Sequence, residues 1–205
     1  RAAARAMAAA DADVLPVVTD VSDGESVDAL AKAAEAAYGS VHVLCNNAGV
    51  GAGGLLSDLT TADWEWVLGV DLWGVIHGVR AFLPRMLAHG EAGHIVNTAS
   101  IAGLLPGTGP AYDASKHAVV AISEDLHHIV RMVGLPVGVS VVCPGWVHTS
   151  ILDADRNWPA ELGDGTIVST GAIVFAGTTL GARVIVGDQA CVRERVTVGD
   201  DVVVG

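Results

Sequence analysis

Ser100-Ile-Ala-Gly-Leu-Leu-Pro-Gly-Thr-Gly-Pro-Ala-Tyr112-Asp-Ala-Ser-Lys116 follows directly on the apolar run His94–Thr98. That run is short, rich in branched side chains and closed by turn residues, the pattern of a buried strand. Ala111–Val133 has helical periodicity, and on a helix residues four apart share a face, so Tyr112 and Lys116 stand side by side. A phenol beside an ammonium is expected to have a lowered pKa, because the cation favours the phenolate. Such a group exchanges a proton with an alcohol near neutral pH. Ser100, at the end of the strand, offers a hydroxyl to hold a substrate oxygen. A Tyr-x-x-x-Lys pair by itself is a common accident, so its weight depends on what surrounds it.

Working outward, Val14–Val18, Val41–Cys45 and Val137–Cys143 have the same strand-like texture, and Val27–Tyr38 and Thr61–Ala88 are helical in period. Asp23 or Ser26 caps the first of these helices, and Thr60 or Thr61 the second. Strands alternating with long helices predict a parallel sheet covered on both faces. Each strand ends in a distinctive turn: Asp20-Val21, Asn46-Asn47-Ala48-Gly49, Ser100, and Pro144-Gly145-Trp146-Val147-His148-Thr149. The carboxyl ends of parallel strands are where such sheets bind ligands.

In the order, spacing and identity of these turns the chain resembles the short-chain dehydrogenase/reductase family, which has a Rossmann core. The resemblance implies hydride transfer between NAD or NADP and a small-molecule alcohol or carbonyl substrate, the hydride chemistry belonging to the cofactor. It implies that Asp20 and Val21 contact adenine, and that Asn47, Ala48 and Gly49 run along the cofactor ribose. Ser100 positions the substrate carbonyl and Tyr112 is the acid/base. Lys116 holds the nicotinamide ribose, and Pro144, Gly145, Val147 and Thr149 lie beside the nicotinamide. Val70 and Asp71 fall where the family carries a cofactor-side residue and an Asn that holds a water next to the Lys. Asp71 departs from that Asn: an ionised carboxylate accepts hydrogen bonds but donates none. It either keeps the water or pairs with Lys116 and alters its effect on Tyr112.

The family opens with a strand, a Thr-Gly-x-x-x-Gly-x-Gly turn and a helix that grips the pyrophosphate; the reading places this front outside the chain and expects weak dinucleotide binding. Gly49-Val-Gly51-Ala-Gly-Gly54 matches G-x-G-x-x-G in letters, with Asp71 about 20 residues on. Leu55-Leu56-Ser57-Asp58 reads as loop, however, so this match is taken as a decoy. With two central family strands missing, Val14–Val18 is expected to cross the gap and pair with Val41–Cys45, since an open edge leaves backbone groups unpaired.

From Leu162 the texture changes. Every sixth residue is aliphatic: Leu162, Val168, Val174, Leu180, Val186, Val192, Val198 and Val204. Four places after each of the first seven comes a small or β-branched residue, from Thr166 and Ala172 to Val202. This fixed period resembles the hexapeptide repeat of left-handed β-helices, as in acyltransferases, and Asp188-Gln-Ala-Cys-Val-Arg-Glu looks like sugar N-acyltransferases. No His follows His148 to serve as the acyl-transfer base. The predicted fold class is therefore α/β: a partial Rossmann-type parallel sheet with flanking helices over 1–149, a junction over 150–161, and a short left-handed β-helix over 162–205. The alternative readings are a hexapeptide-repeat acyltransferase or trimerising β-helix module, or a non-catalytic fusion of two fragments.

Composition narrows the rest. With 11 basic against 23 acidic residues in 205, the net charge of −12 argues against a nucleic-acid partner. Three cysteines without metal or redox spacing suit a reducing compartment, and cytoplasmic is the default expectation. No apolar run looks long enough to span a bilayer, and no membrane partner is expected. The Arg/Ala-rich start reads as part of a helix rather than a targeting peptide. His127-His128 reads as a solvated or interface face, with no metal site expected. Trp64, Trp66 and Trp73 read as packing or subunit-contact residues, and the resemblance implies a homo-oligomer.

Overall fold

The computed structural model describes residues 13–52, 54–145, 147 and 151, and beyond these 161–162, 167–168, 173–174, 179–181, 184–186, 191–192 and 196–204. The chain divides into two compact units, Arg1–Val147 and His148–Gly205.

In the first unit, helix α1 spans Gly24–Tyr38, capped by Asp23, whose side chain accepts from the Glu25 N–H. Strand β1 is Val43–Asn46. Helix α2, Thr61–Leu68, starts in a capping box in which Thr60 and Asp63 satisfy each other's backbone N–H groups. A π-helical turn, Gly69–Trp73, leads into helix α3, Gly74–His89. Strand β2, Gly93–Thr98, is followed by a 3-10 turn at Ile101–Gly103, by helix α4, Pro110–Met132, and by strand β3, Val137–Val142. The strands form one parallel sheet in the order β1-β2-β3, with Leu44 opposite Ile95 and Ile95 opposite Val139. Val27 and Ala31 of α1, Ala81, Phe82 and Met86 of α3, and Leu44, Ile95 and Val137 of the sheet make one buried cluster. Beside it, on the same face, Val119 and Val120 of α4 pack with Val75 and Ala99. The expected cover on both faces is corrected: right-handed crossovers running in the order β1-β2-β3 put their helices on one face. There Ile95 packs under α1 and α3, and Asn97, two residues on, bonds Ser123 of α4, while Val43, Cys45 and Val142 on the other face are exposed among the described residues.

Two further expectations are corrected. Val14–Val18 forms no strand and does not join the sheet, so the predicted closure onto β1 does not occur. Pro16, in the middle of the run, has no N–H to give a ladder, and Leu15, Val17 and Val18 are exposed, Val18 completely so. Second, Thr61–His89 is a continuous 29-residue helical run, long and apolar enough by length and composition to cross a membrane, contrary to the reading that no run was. Its packing is that of a domain helix: Asp63 and Asp71 are buried in hydrogen bonds, and Arg85 pairs with Asp28 and Glu35 of α1.

In the second unit eight two-residue strands, β4 to β11, recur at 161–162, 167–168, 173–174, 179–180, 185–186, 191–192, 197–198 and 203–204. Each ends on the aliphatic residue of a hexad. They pair in parallel with partners 18 residues away, Leu162 with Leu180, Val168 with Val186 and Val174 with Val192. A further step pairs Leu180 with Val198 and Val186 with Val204. Leu180 and Val184 are buried, the repeated aliphatic and the small-position residue filling the interior.

Candidate active site

The π-helical turn sets the floor of the site. A π turn shifts the register of a long helix locally, and such turns are frequent at functional sites. Here it directs Asp71 into the protein, where it is fully buried. One carboxylate oxygen accepts the Val50 N–H at 2.8 Å, from the loop after β1. The other lies 3.3 Å from Lys116 Nζ and accepts the Ser115 hydroxyl at 3.3 Å, both from α4. The Val50 N–H and Lys116 present protons, while the single Ser115 proton is shared with the Tyr112 carbonyl at 2.7 Å, so the geometry suits a carboxylate. Burial nonetheless pushes the Asp71 carboxyl above the usual carboxylate range, against the pull of the Lys116 ammonium, the Val50 N–H and the Ser115 hydroxyl.

Lys116, also buried, donates to the Thr98 carbonyl at 3.4 Å, and its Nζ sits 5.4 Å from the centre of the Tyr112 ring. Tyr112 is half-buried, and the Ser100 side chain is close enough to act on its phenol. The three predicted residues therefore converge, and Asp71 joins them. The predicted lowering of the Tyr112 pKa is corrected: burial pushes the phenol above its ordinary value, the Ser100 hydroxyl only partly offsets this, and the Asp71 and Asp113 carboxylates add to the rise. The helical spacing is as read, and of the two alternatives left open for Asp71 the structure has the pairing with Lys116.

Ser100 is placed by the turn that it starts. Its hydroxyl accepts the Ala102 N–H at 3.2 Å, while Ile101 N–H donates to the Pro144 carbonyl at 2.8 Å. Gly103 makes the approach to α4 feasible, since a Cβ there would lie 2.6 Å from the Lys116 carbonyl oxygen. Asn47 and Ala48 are exposed at the carboxyl end of β1, and Thr98 donates its hydroxyl to Asn47 Oδ1 at 3.1 Å. A Cβ at Gly49 would stand 3.3 Å from Lys116 Nζ, so the glycine leaves room beside that ammonium. Val70 is half-buried in the π turn, Gly145 is in the open and Val147 is exposed. Asp20 turns its carboxylate to the Ser22 N–H and hydroxyl, and the Val21 carbonyl is 3.0 Å from His77 Nδ1. Thr149 lies outside the described residues. The Gly49–Gly54 stretch leads into turns, and α2 begins only at Thr61, so no helix opens directly from that glycine run.

Several residues escaped the sequence reading. Asp113, in the first turn of α4, gathers the Gly107 N–H at 2.7 Å and both the N–H and hydroxyl of Thr108. Burial opposes its ionisation, but these donors together with the Gly109 N–H outweigh it and hold the carboxyl below the usual range. Its signal was an Asp just past a Gly-Thr-Gly turn, a position where a carboxylate collects backbone donors. A buried chain runs from Asn46 to Asn97 Oδ1 at 2.8 Å, from Asn97 to Ser123 at 2.9 Å, and on to the Val119 carbonyl. It ties β1, β2 and α4 together beneath the site.

Away from the site, among the described residues, His42, His89 and Glu91 gather metal-type ligand atoms within 4.8 Å of one another. They are engaged already: His42 with Glu91 at 2.6 Å, and His89 with the Val41 carbonyl and the Glu91 N–H. The triangle ties the end of α3 to the start of β1. His127 and His128 line a depression of about 340 Å³ with Ser123, Glu124, Val139 and Val141, which holds none of the predicted catalytic residues.

A short chain dehydrogenase family model matches residues 1–160. A 1-deoxy-11-beta-hydroxypentalenate dehydrogenase of Streptomyces avermitilis is 42% identical over 157 residues, 74% of this chain and 57% of that protein. A CLA biosynthesis dehydrogenase/reductase of Lactiplantibacillus plantarum is 34% identical over 156 residues, covering 76% of this chain and 54% of that one. The crystal structure of a short-chain dehydrogenase/reductase from Burkholderia phymatum in complex with NAD superimposes with a TM-score of 0.73 at 55% identity, over 75% of this chain and 55% of that chain. The chain thus spans little more than half the length of these relatives. A family match over most of the sequence, on a parallel sheet with these turns at its carboxyl end, places the chain in the short-chain dehydrogenase family.

Proposed function

We propose that this chain carries the catalytic half of an NAD(P)-dependent oxidoreductase acting on a small-molecule alcohol or carbonyl. The observation that carries the reading is the convergence of Ser100, Tyr112 and Lys116, drawn from β2 and α4 onto one sheet end. The residues present fit a nicotinamide cofactor: Gly49 puts no side chain against the Lys116 ammonium, where a Cβ would lie 3.3 Å away, and Asn47 and Ala48 are exposed at the end of β1. When bound, the cofactor supplies or accepts the hydride. Ser100 holds the substrate oxygen against Tyr112, and Tyr112 gives the proton to that oxygen in reduction or takes it in oxidation. Lys116 holds the nicotinamide ribose, and Asp20, Val21, Val70, Pro144, Gly145, Val147 and Thr149 take the remaining cofactor contacts that the resemblance assigns. The 205 residues contain no Thr-Gly-x-x-x-Gly-x-Gly turn, and phosphate contacts at a helix N-terminus normally supply much of the grip. Calorimetry of this polypeptide with NADH and NADPH is therefore expected to give binding weaker than micromolar. No heat at millimolar concentrations of either would sink the reading, and micromolar binding would mean that another segment holds the phosphates.

For residues 162–205 we infer a left-handed hexapeptide β-helix of about two coils, joined through 150–161 to the dehydrogenase part. The support is the 18-residue pairing of eight short strands, three hexads to a coil. A trimerising module is the second reading of the chain as a whole, and the dehydrogenase family's habit of oligomerising points to assembly as well. Light scattering on the whole chain distinguishes them: a threefold mass favours the module, a dimer or tetramer the dehydrogenase contacts.

A further inference from the structure

We propose that Asp71 is a positioning residue of this site: its carboxylate pairs with Lys116 inside the protein, withdraws that ammonium from Tyr112, and keeps Tyr112 a proton donor across the neutral range. The inference rests on the dehydrogenase reading and deepens it, by assigning the site a preferred protonation state and hence a preferred direction, carbonyl reduction.

The geometry carries the argument. Asp71 is fully buried and Lys116 nearly so, with Oδ2 and Nζ 3.3 Å apart. Opposite charges that close, shielded from water, act on a third group as a dipole rather than as a free cation, and a dipole's field falls off faster with distance. Tyr112 lies on the Nζ side at 5.4 Å, so it keeps a contact with the ammonium but loses most of its charge effect. Among the described residues the groups facing Tyr112 are few. From α4 come Lys116, Ser115 and Asp113; from the π turn comes Asp71; from the turn after β2 comes Ser100, with the Thr98 carbonyl accepting from Lys116. Two carboxylates against one ammonium leave the surroundings of the phenol negative on balance, which favours the neutral phenol. The upward displacement of Tyr112 agrees with this, the burial of the ring being its largest cause and the Asp71 charge a further one. An asparagine at position 71 would keep the shape and the Val50 hydrogen bond and return the full Lys116 charge to Tyr112. The same carboxylate also fixes Lys116 in place, because Nζ has one oxygen of Asp71 and the Thr98 carbonyl as partners.

The sequence itself supplies a clean test. It contains two tyrosines, Tyr38 and Tyr112. Tyr38 is exposed at the end of α1, so Tyr38→Phe leaves Tyr112 as the one titrating phenol in the whole chain. Tyrosinate absorbance against pH then reads Tyr112 with no cofactor, substrate or turnover. The midpoint is expected above the ordinary tyrosine value in Tyr38→Phe and lower by about one pH unit on adding Asp71→Asn. In the Asp71→Asn background a further Lys116→Met change should raise it again by about one pH unit, which shows that the lowering came from the freed Lys116 charge. Equal midpoints with and without Asp71 in chains of unchanged circular dichroism would overturn the proposal. Should Asp71→Asn fail to fold, Asp71→Ser in the same background decides: a midpoint unchanged by loss of the carboxylate overturns the proposal. A chain with no dehydrogenase turnover gives the same titration, so failure of the functional reading and failure of this inference are told apart.

Discussion

Two regions flank Tyr112, each with a buried carboxylate, and they hold those carboxylates by different means. Asp71 sits behind the ring in a dry pocket and faces an ammonium, one backbone N–H and one hydroxyl. Asp113 sits one residue along α4 from Tyr112 and gathers backbone N–H groups from Gly107 and Thr108 and the Thr108 hydroxyl, at the positive end of the helix. Their acidities move apart, that of Asp71 weakened and that of Asp113 strengthened. A full opposite charge at 3.3 Å thus fails to offset burial at Asp71, whereas neutral donors together outweigh it at Asp113. Desolvation decides the first region and the number of aligned donors decides the second. Tyr112 lies between a charge pair that sets its proton and a loop clasp that sets its place.

The largest effect that can break this picture is loss of the proton itself. Tyr112→Phe keeps the ring and its packing while removing the acid, and turnover with any alcohol or carbonyl substrate is expected to fall on the order of 10²–10⁴-fold. Initial rates from nicotinamide absorbance check it. Unchanged turnover would place the activity at another site, and neither carboxylate region would then bear on it.

How much of this was legible depends on how far apart the parts lie in sequence. Ser100, Tyr112 and Lys116 fall in one strand-turn-helix segment, and helical spacing alone puts two of them on one face. Asp71 was visible only as a departure from a family pattern, because its partner lies 45 positions away and the π turn that aims it leaves no periodic mark in a run that reads as one helix. The Asn46–Asn97–Ser123 chain is long-range in the same way and was not foreseen. Val14–Val18 shows the reverse failure: its composition favours a strand, but Pro16 and the lack of a covering layer outweigh local preference. The hexads were legible residue by residue because a fixed period repeats one small decision eight times, and each aliphatic position ends a strand.

A middle-sized effect tests the loop region. Asp113→Ala leaves the N–H groups of the exposed Gly107 and Thr108 to water in place of their acceptor, at an expected loss of about 0.5–1.5 kcal/mol in stability. Urea denaturation midpoints measure it. Asp113→Asn keeps one acceptor oxygen and should recover part of the loss. If both variants match the parent, the clasp does not hold the loop, and the contrast with Asp71 loses one of its terms.

The smallest expected effect is also the one that separates the two carboxylates most directly, because their contributions to stability run in opposite directions with pH. Asp113 has a folded value below its unfolded one, so its contribution is present above the unfolded aspartate value, about 3.9, and is lost as pH falls through the lower folded value. Asp71 has a folded value above its unfolded one, so its contribution is present below about 3.9 and is lost as pH rises through the higher folded value. Replacing each by asparagine removes one limb. Asp113→Asn should flatten the loss of stability on the acid side of about pH 4, and Asp71→Asn should flatten the loss on the other side. Asp28 and Glu91, whose acidities are strengthened by Lys32 and by His42, titrate alike in all three proteins and cancel in the differences. Urea midpoints between about pH 2.5 and 6 resolve the two limbs. Were both substitutions to change the same limb, burial and donor count would not be setting these two carboxylates apart, and the assignment of Asp71 as the carboxylate ruled by desolvation would fall with it.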